Sequence, residues 1–470
     1  MEIRELHREI EKDWPKHLEA TRRLLRIPSV SMTGEGIQQS ADLVEDMVAD
    51  LGAKHGQFRA GKKSHPLVHG YLDVGAEKTA LIYGMYDVQP VGDPGLWDYP
   101  PFRATIVNRK PFGKVLINRG VANSKAALAG NLLAVKTMLK NDALPMNLHF
   151  LLEGEEEIGG YSLPKWVNKN KAKLSKADAA FTFDYGEDSS GTAQIALGAK
   201  GCVYFDLIAE GAARGGPTAE LHSSYAVVVE SPVWRLVHAL STMVDENQEP
   251  AVDGIWDKVQ NPSKEDFALI KELAKRFDPS TYLKEMNASK FKCEGSKEEI
   301  IRKYVFEPSI NIDGLVAGYQ EDGTKTVLPP RAMAKVDIRT VPNMTIEDTK
   351  KKVMDHLRRR GFTDIEMRHY VDYPWSKVPI QEPVSQACIE TLRFHGKDPE
   401  IWPMMAGSAP MYLFDQVLKV PWGSVGLGHG GNAHSANEYA VVDGMKEFEK
   451  SVVTVFWKFI EISNRKERRR

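Results

Sequence analysis

The sequence has few cysteines, no bias in charge and no long apolar run. Its three cysteines, Cys202, Cys293 and Cys388, lie far apart without CxxC spacing, so neither a disulfide framework nor a thiolate zinc site is indicated. Lys and Arg number 62 against 64 for Asp and Glu, which argues against nucleic acid as the main partner. The chain opens without the apolar core of a signal peptide and has no apolar stretch long enough to cross a bilayer. We therefore expect a cytoplasmic protein with no membrane partner.

At 470 residues the chain is longer than a single typical core, so two domains are expected. Alternating strand and helix patterns occupy residues 1–200 and return in residues 374–470. Between them, residues 201–373 have the half-buried strand patterns of an α+β fold. The sequence therefore predicts an α/β catalytic domain built from both ends of the chain, interrupted by an inserted α+β domain.

Several individual elements can be predicted from periodicity. Apolar residues recur at helical spacing from Ile3 to Leu25, before Pro28, and again over residues 36–51. The run Thr79–Pro90 predicts a buried strand that ends at the proline. Further helices are expected over residues 126–140, 345–360 and 383–394, whereas residues 245–296 are polar and have no clear pattern.

The most informative stretch is an apolar run that ends in a cluster of acids. Leu148–Leu152 is followed by Glu153, Gly154 and the triplet Glu155, Glu156 and Glu157. A buried strand would deliver these carboxylates to the C-terminal edge of a sheet, where open α/β sheets bind their ligands. Because side chains alternate along a strand, Glu156 and Glu157 would face different ways, so that one could bind a cation while the other transfers protons. The alternative interpretation is a solvated acidic turn.

Other strand and helix ends carry candidate partners for this cluster. Met85 and Asp87 share a face at the end of one predicted strand, and Asp184 ends another. Asn123 lies at the start of a predicted helix, where it could equally be a simple cap. His434 follows a glycine-rich turn before the last helix, and a histidine bonded to the loop backbone is the alternative there.

Taken together, these motifs resemble the dinuclear-zinc exopeptidase and aminoacylase family, which includes carnosinase-like dipeptidases, carboxypeptidase G-type enzymes and succinyl-diaminopimelate desuccinylase. The resemblance extends over most of the chain. It rests on four ordered motifs: Gly84-Met85-Tyr86-Asp87 followed by Val88-Gln89-Pro90, Arg119-Gly120-Val121-Ala122-Asn123-Ser124-Lys125, Glu153-Gly154-Glu155-Glu156-Glu157, and His434-Ser435-Ala436-Asn437-Glu438-Tyr439.

The resemblance implies a zinc-exopeptidase-like mixed-sheet domain whose insert acts as a lid and dimerisation domain, and hence a homodimer that acts on a small-molecule substrate. It implies that Glu156 is the general base and that Asp87 orients a neighbouring group. The implied metal ligands are Glu157, Asp184 and His434. For the insert it implies that His222 reaches a substrate across the dimer. It also implies a pocket for the substrate carboxylate that contains Arg339, Gly407 and Ser408.

Two positions depart from the family pattern. The histidine of the first motif is Met85, and the aspartate that bridges the two cations is Asn123. A thioether suits soft ions and replaces imidazole poorly on Zn²⁺ or Mn²⁺. A neutral amide lacks the negative charge that holds two dications together, which leaves Asn123 a role in substrate binding. We therefore expect a reduced or altered zinc or manganese centre, with one ion or none.

These observations favour an amide-bond hydrolase acting on a small dipeptide or an N-acyl amino acid. Two alternatives remain open from the sequence. One is a metal-independent enzyme on the same scaffold, with Glu156 as acid and base on a small carboxylate-bearing substrate. The other is a non-catalytic protein that binds a small acid in the same cleft.

Overall fold

The structure, a computed structural model, describes residues 2–468, except for the side chains of Glu285 and Val371. Met1, Arg469 and Arg470, at the ends of the predicted catalytic domain, lie outside the described residues. The α-helices, numbered along the chain, are α1 (Ile3–Leu25), α2 (Ile37–Ala49), α3 (Lys125–Lys140), α4 (Ser162–Lys169), α5 (Lys171–Leu174), α6 (Pro232–Ser241), α7 (Lys264–Arg276), α8 (Pro279–Glu285), α9 (Lys297–Phe306), α10 (Ile346–Arg359), α11 (Pro383–Phe394) and α12 (Val442–Glu467).

The strands are numbered in the same way. They are β1 (Lys54–Phe58), β2 (Leu67–Leu72), β3 (Thr79–Met85), β4 (Thr105–Arg109), β5 (Gly113–Ile117), β6 (Asn147–Glu153), β7 (Ala179–Thr182), β8 (Gln194–Ala196), β9 (Gly198–Ala199), β10 (Gly201–Glu210), β11 (Leu221–His222), β12 (Ser309–Ala317), β13 (Val327–Leu328), β14 (Arg331–Thr340), β15 (Glu366–Tyr373), β16 (Ser376–Lys377), β17 (Glu400–Trp402), β18 (Trp422–Ser424), β19 (Gly430–Gly431) and β20 (Tyr439–Val441).

The chain forms two compact units. The first comprises Met1–Leu197, Val378–Trp402 and Leu413–Arg470, and the second comprises Gly198–Lys377 and Pro403–Tyr412. This division differs from the predicted one at residues 198–200 and 374–377, which belong to the second unit. It differs also at residues 403–412, where Met405 forms a β-bridge with Ala199 of that unit.

The first unit is built on a six-stranded mixed sheet in the order β1-β2-β6-β3-β7-β18. Strands β6, β3, β7 and β18 run parallel, whereas β1 and β2 pair antiparallel at one side. All seven residues of β6 are buried, as expected for an internal strand with both faces covered. Helices α1, α3, α11 and α12 contact one another in the same unit. The carboxyl ends of β3, β6 and β7 therefore meet at one edge of the sheet.

A second sheet of this unit has the antiparallel order β19-β20-β5-β4. The segment that joins β19 to β20 carries His434 and Glu438. A small apolar core anchors this sheet, with Leu116, Val121, Ala440 and Met445 all buried.

The second unit has its own antiparallel sheet in the order β12-β14-β10-β15. Helix α6 contacts β10 and β14, and α10 contacts β10 and β15. Buried apolar residues of the sheet and helices form a separate core, among them Phe205, Val336, Leu236 and Leu357. Because each unit has a core of its own, the α/β and α+β patterns of the sequence correspond to separately packed regions.

Two local predictions were wrong. The strand that precedes the acidic cluster ends at Glu153, and Glu156–Ile158 forms a turn of 3₁₀-helix, so the two glutamates are not placed by strand alternation. The segment 245–296 includes α7 and α8 where no clear pattern was found. None of the helices within residues 2–468 has the length and apolar content needed to cross a bilayer.

Candidate active site

The loops that follow β3, β6 and β7 bring the acidic candidates of the first unit together. Asp87 lies two residues beyond β3, and Asp184 lies two residues beyond β7. The 3₁₀ turn with Glu156 and Glu157 follows β6, which pairs with β3. Because these strands are parallel, their carboxyl ends place the three loops side by side.

Asp87 holds the paired-glutamate turn in position. Its carboxylate accepts backbone N–H bonds from Glu156 at 3.2 Å and from Glu157 at 3.0 Å. The side chain is fully buried, and burial raises the pKa of Asp87 to about 7 against the opposing effect of the N–H bond from Glu157. Asp87 thus contacts the backbone of the turn and fixes the direction of both glutamates.

Glu157 is the point at which three side chains meet. Its Oε2 accepts a 2.8 Å bond from Nε2 of Gln89, and its Oε1 accepts a 2.8 Å bond from Nδ2 of Asn123. Nε2 of His434 lies 3.1 Å from the same Oε1. The Glu157 side chain is only 4% exposed, so these contacts replace most of its hydration.

Asn123 lies between Glu157 and His434. Its Nδ2 is 2.8 Å from Nε2 of His434. When Nε2 carries no proton, it accepts a hydrogen bond from Asn123; when Nε2 is protonated, it donates one to Glu157. The hydrogen bond with Glu157 raises the pKa of His434, and burial opposes that rise. The three side chains thus form a triangle of close contacts, in which the proton on Nε2 of His434 decides whether that nitrogen bonds to Asn123 or to Glu157.

Glu438 fixes the loop that carries Asn123. This fully buried carboxylate accepts bonds from the Arg119 guanidinium at 2.8 Å and from the backbone N–H groups of Gly120, Ala122 and Asn123 at 2.8 to 2.9 Å. The carboxylate is four residues from His434, so it couples the two loops that form the triangle.

Glu156 is half-buried beside this triangle. Burial raises the pKa of Glu156 well above its usual range, and the nearby charges of Glu157 and Asp87 raise it further. A carboxylate in such surroundings binds a proton more strongly than an ordinary glutamate does.

Asp184 and Met85 occupy the other side of the site. Oδ1 of Asp184 accepts a 2.6 Å bond from Oγ of Ser124. Asp184 is exposed to solvent. Partial desolvation of its carboxyl group by the surrounding protein nevertheless raises the pKa of Asp184 to about 6. Met85 is buried, 7% exposed, and supplies a neutral thioether where the motif would have imidazole.

The remaining candidates lie in the second unit. Arg339 of β14 donates from Nη1 to Oγ of Ser408 at 3.1 Å and from Nε to Asp337 at 2.8 Å. A Cβ at Gly407 would meet no atom within 4 Å, so the turn leaves open space at this position. His222 is exposed, and its ring nitrogens contact Ser224 and Thr326. The structure thus brings Arg339 and Ser408 together within this unit.

The donor set does not fit two divalent cations. Within residues 2–468, no group of three or more His, Cys, Asp or Glu side chains is arranged to hold a metal ion. Glu157 and His434 have converging donor atoms, and a half-turn of the Asn123 amide would present its oxygen to the same point. Asp184 has only the thioether of Met85 on its own side. The residues present therefore fit one cation at Glu157 and His434, and not a pair.

Sequence reasoning missed four residues that organise this site. Gln89 and Glu438 stand inside the motifs that were recognised, but their contacts come from residues distant in the chain. Ser124 and Arg119 flank the loop that carries Asn123. The only signal for them was their position within the motifs.

Comparisons with known proteins identify the family of the chain. The family described as "Peptidase family M20/M25/M40" matches residues 81–457. The Cys-Gly metallodipeptidase DUG1 of Saccharomyces cerevisiae is 30% identical over 378 residues, covering 77% of this chain and 75% of the relative. The Beta-Ala-His dipeptidase of Homo sapiens is 28% identical over 389 residues, covering 79% and 73%. The solved structure of an M20 family metallo-carboxypeptidase, Sso-CP2 from Sulfolobus solfataricus, has a TM-score of 0.87 at 33% identity and covers 94% of this chain and 99% of that one.

Proposed function

The chain belongs to peptidase family M20/M25/M40 and is a hydrolase of peptide bonds, and from this premise we propose that its substrates are small dipeptides. Relatives named for cleaving Cys-Gly and Beta-Ala-His support a dipeptide over a longer peptide. The observation that carries the proposal is the convergence of Glu156, Glu157, Asn123 and His434 at the carboxyl edge of the mixed sheet.

We propose that the metal centre is reduced to one divalent cation, zinc or manganese. Glu157 and His434 would hold it. When bound, such an ion polarises the scissile carbonyl and lowers the pKa of its water. With two strong protein ligands in place of the usual three, the ion would exchange readily and be lost during purification. One of the relatives is a Cys-Gly metallodipeptidase, which supports retention of an ion.

Glu156 is proposed to accept the proton of the attacking water and to return it to the leaving amine. Asp87 serves this step indirectly, because its carboxylate binds the N–H groups of both glutamates and so fixes the turn. The raised pKa of Glu156 favours acceptance of the proton from the water, because its carboxylate is a stronger base than that of an ordinary glutamate.

The second unit is proposed to bind the carboxylate of the substrate and to mediate a homodimer. A guanidinium binds a carboxylate through paired N–H bonds, and Arg339 is already oriented by Asp337 and Ser408. His222 is exposed, and it would reach a substrate held by a partner protomer by giving up its contact with Thr326. Sedimentation of the purified protein tests the dimer, and a monomer at micromolar concentration would contradict it.

Metal dependence separates this proposal from metal-free hydrolysis. Protein purified without chelator is assayed for amino acid release from a panel of dipeptides, with Zn²⁺ or Mn²⁺ added and with EDTA. We expect activity that EDTA removes and the added ion restores. Activity untouched by EDTA but abolished in Glu156→Gln would indicate the metal-independent alternative. Tight binding of small acids without turnover would indicate the non-catalytic alternative.

A further inference from the structure

A small cavity adjoins the site at the carboxyl ends of β3 and β7. Its volume is about 30 Å³, enough for two water-sized groups, since one water needs about 10–15 Å³. Two of the residues that line it, Met85 and Asp184, are those on the side of the site that is poor in metal donors. The other polar lining residues are Tyr83, Ser124, Asn131 and Thr182.

Asn131 is a buried amide that lacks partners. The residue is 1% exposed on the first turns of α3, and neither its Nδ2 nor its Oδ1 has a hydrogen-bond partner in the described part of the chain. An unpaired buried amide is costly, and most such groups in folded proteins are paired. Because Asn131 lines the cavity, its pairing must come from whatever occupies that space.

Asp184 contributes a negative charge to the same cavity. Among residues 2–468, the only side-chain hydrogen bond described for its carboxylate comes from the neutral Ser124 hydroxyl, and it forms no ion pair there. Met85 adds no charge. The cavity therefore offers a carboxylate, an amide oxygen and a hydroxyl oxygen, with no cation from the protein itself.

We propose that this cavity binds a primary ammonium group, the free amino terminus of the dipeptide substrate. An ammonium has one positive charge and three N–H donors, which match the oxygens of Asp184, Asn131 and Ser124. The remaining volume holds one water that accepts from Nδ2 of Asn131. This inference rests on the proposed dipeptidase function and deepens it, because it selects peptides with a free amine over N-acyl amino acids.

The first test compares two substrates that differ only at the amine, L-alanyl-glycine and N-acetyl-L-alanyl-glycine. We expect a preference of about 100-fold in kcat/KM for the free amine. Asn131→Leu and Asp184→Asn should each lower that preference about 10-fold or more, chiefly through KM, because a lost bond to a charged group weakens binding. The surface variant Asn168→Leu is the matched control. Equal rates on both substrates overturn the ammonium site and leave the dipeptidase proposal intact.

The second test does not depend on turnover. L-alaninamide and N-acetyl-L-alaninamide are titrated into the protein by calorimetry in buffer with EDTA. We expect L-alaninamide alone to bind, and Asn131→Leu and Asp184→Asn to weaken it about 10-fold or more while Asn168→Leu does not. If neither dipeptide is hydrolysed, the dipeptidase proposal fails and this titration still decides the ammonium site. No binding in EDTA, equal binding of both amides, or unchanged binding in both cavity variants overturns it.

Discussion

Nδ2 of Asn123 lies 2.8 Å from Nε2 of His434, where a bridging carboxylate would otherwise join two cations. The same nitrogen donates to Glu157, so a neutral amide connects the two side chains that we propose as ligands of a single cation. An amide cannot supply the charge that a pair of dications needs, and Met85 removes an imidazole from the other position. Under the proposal of a single cation, Met85 and Asn123 both remove a strong ligand for a second one.

The first prediction concerns restoring those two positions. Met85→His with Asn123→Asp should raise bound Zn²⁺ from at most one equivalent to two, because it returns an imidazole and a bridging carboxylate. Metal content after dialysis is measured by mass spectrometry. The control, Met32→His with Asn168→Asp, changes the same residue types at exposed positions. An unchanged zinc content in the restored variant would show that Met85 and Asn123 do not limit the number of zinc ions that the protein binds.

The second prediction concerns the buried pair Arg119–Glu438. Both side chains are at most 2% exposed, so Glu438→Leu leaves a buried guanidinium unpaired. We expect the free energy of unfolding to fall by about 3–5 kcal/mol. Urea denaturation measures this. Glu19→Leu, which breaks exposed contacts with Arg22 and Arg26, should cost less than about 1 kcal/mol. A similarly small loss of stability for Glu438→Leu would contradict the conclusion that Glu438 fixes the loop that carries Asn123.

The third prediction concerns acid stability. His7 and His395 stack with ring centroids 5.2 Å apart, and burial lowers the pKa of each to about 4. The positive charge of Lys450 also lowers the pKa of His7. Because these pKa values lie below about 6.5 in the unfolded chain, the unfolded state binds more protons. The stabilisation is complete above pH 6.5 and is lost as the pH falls from 6.5 to about 4.

Urea denaturation at pH 7.5, 6.5, 5.5 and 4.5 measures that loss. His395→Gln should reduce the slope of the free energy of unfolding by up to about 1.4 kcal/mol per pH unit in this window. His238→Gln, at an exposed position, should leave the slope unchanged. Identical slopes in the wild type and His395→Gln would mean that the buried histidines do not govern acid unfolding.

Long periodic elements could be predicted well from the sequence, for physical reasons. Helix α1 covers Ile3–Leu25 as predicted, since one apolar stripe persists over its whole length. The predicted strand also begins at Thr79, but it ends at Met85 and not at Pro90. Helix α7 was missed although Ser263 and Asp266 form a capping box before it, because the polar composition of the segment hides the apolar stripe.

The site was only partly predictable. The acids at strand ends could be found because parallel strands share an edge, but the 3₁₀ turn at Glu156 could not, since periodicity carries no information on a three-residue turn. The roles of Asp87 and Glu438 depend on bonds to backbone N–H groups of distant loops. The unpaired amide of Asn131 lies in an otherwise ordinary helix pattern, and only three-dimensional contacts distinguish it.

The most direct test of the central claim is the turnover of Glu156→Gln on a dipeptide that the wild-type protein cleaves. Loss of the general base should lower kcat about 10²–10⁴-fold, with melting temperature and metal content unchanged. The control Glu77→Gln makes the same change on the surface and should retain full activity. Wild-type turnover in Glu156→Gln would contradict the assignment of this site as the catalytic centre.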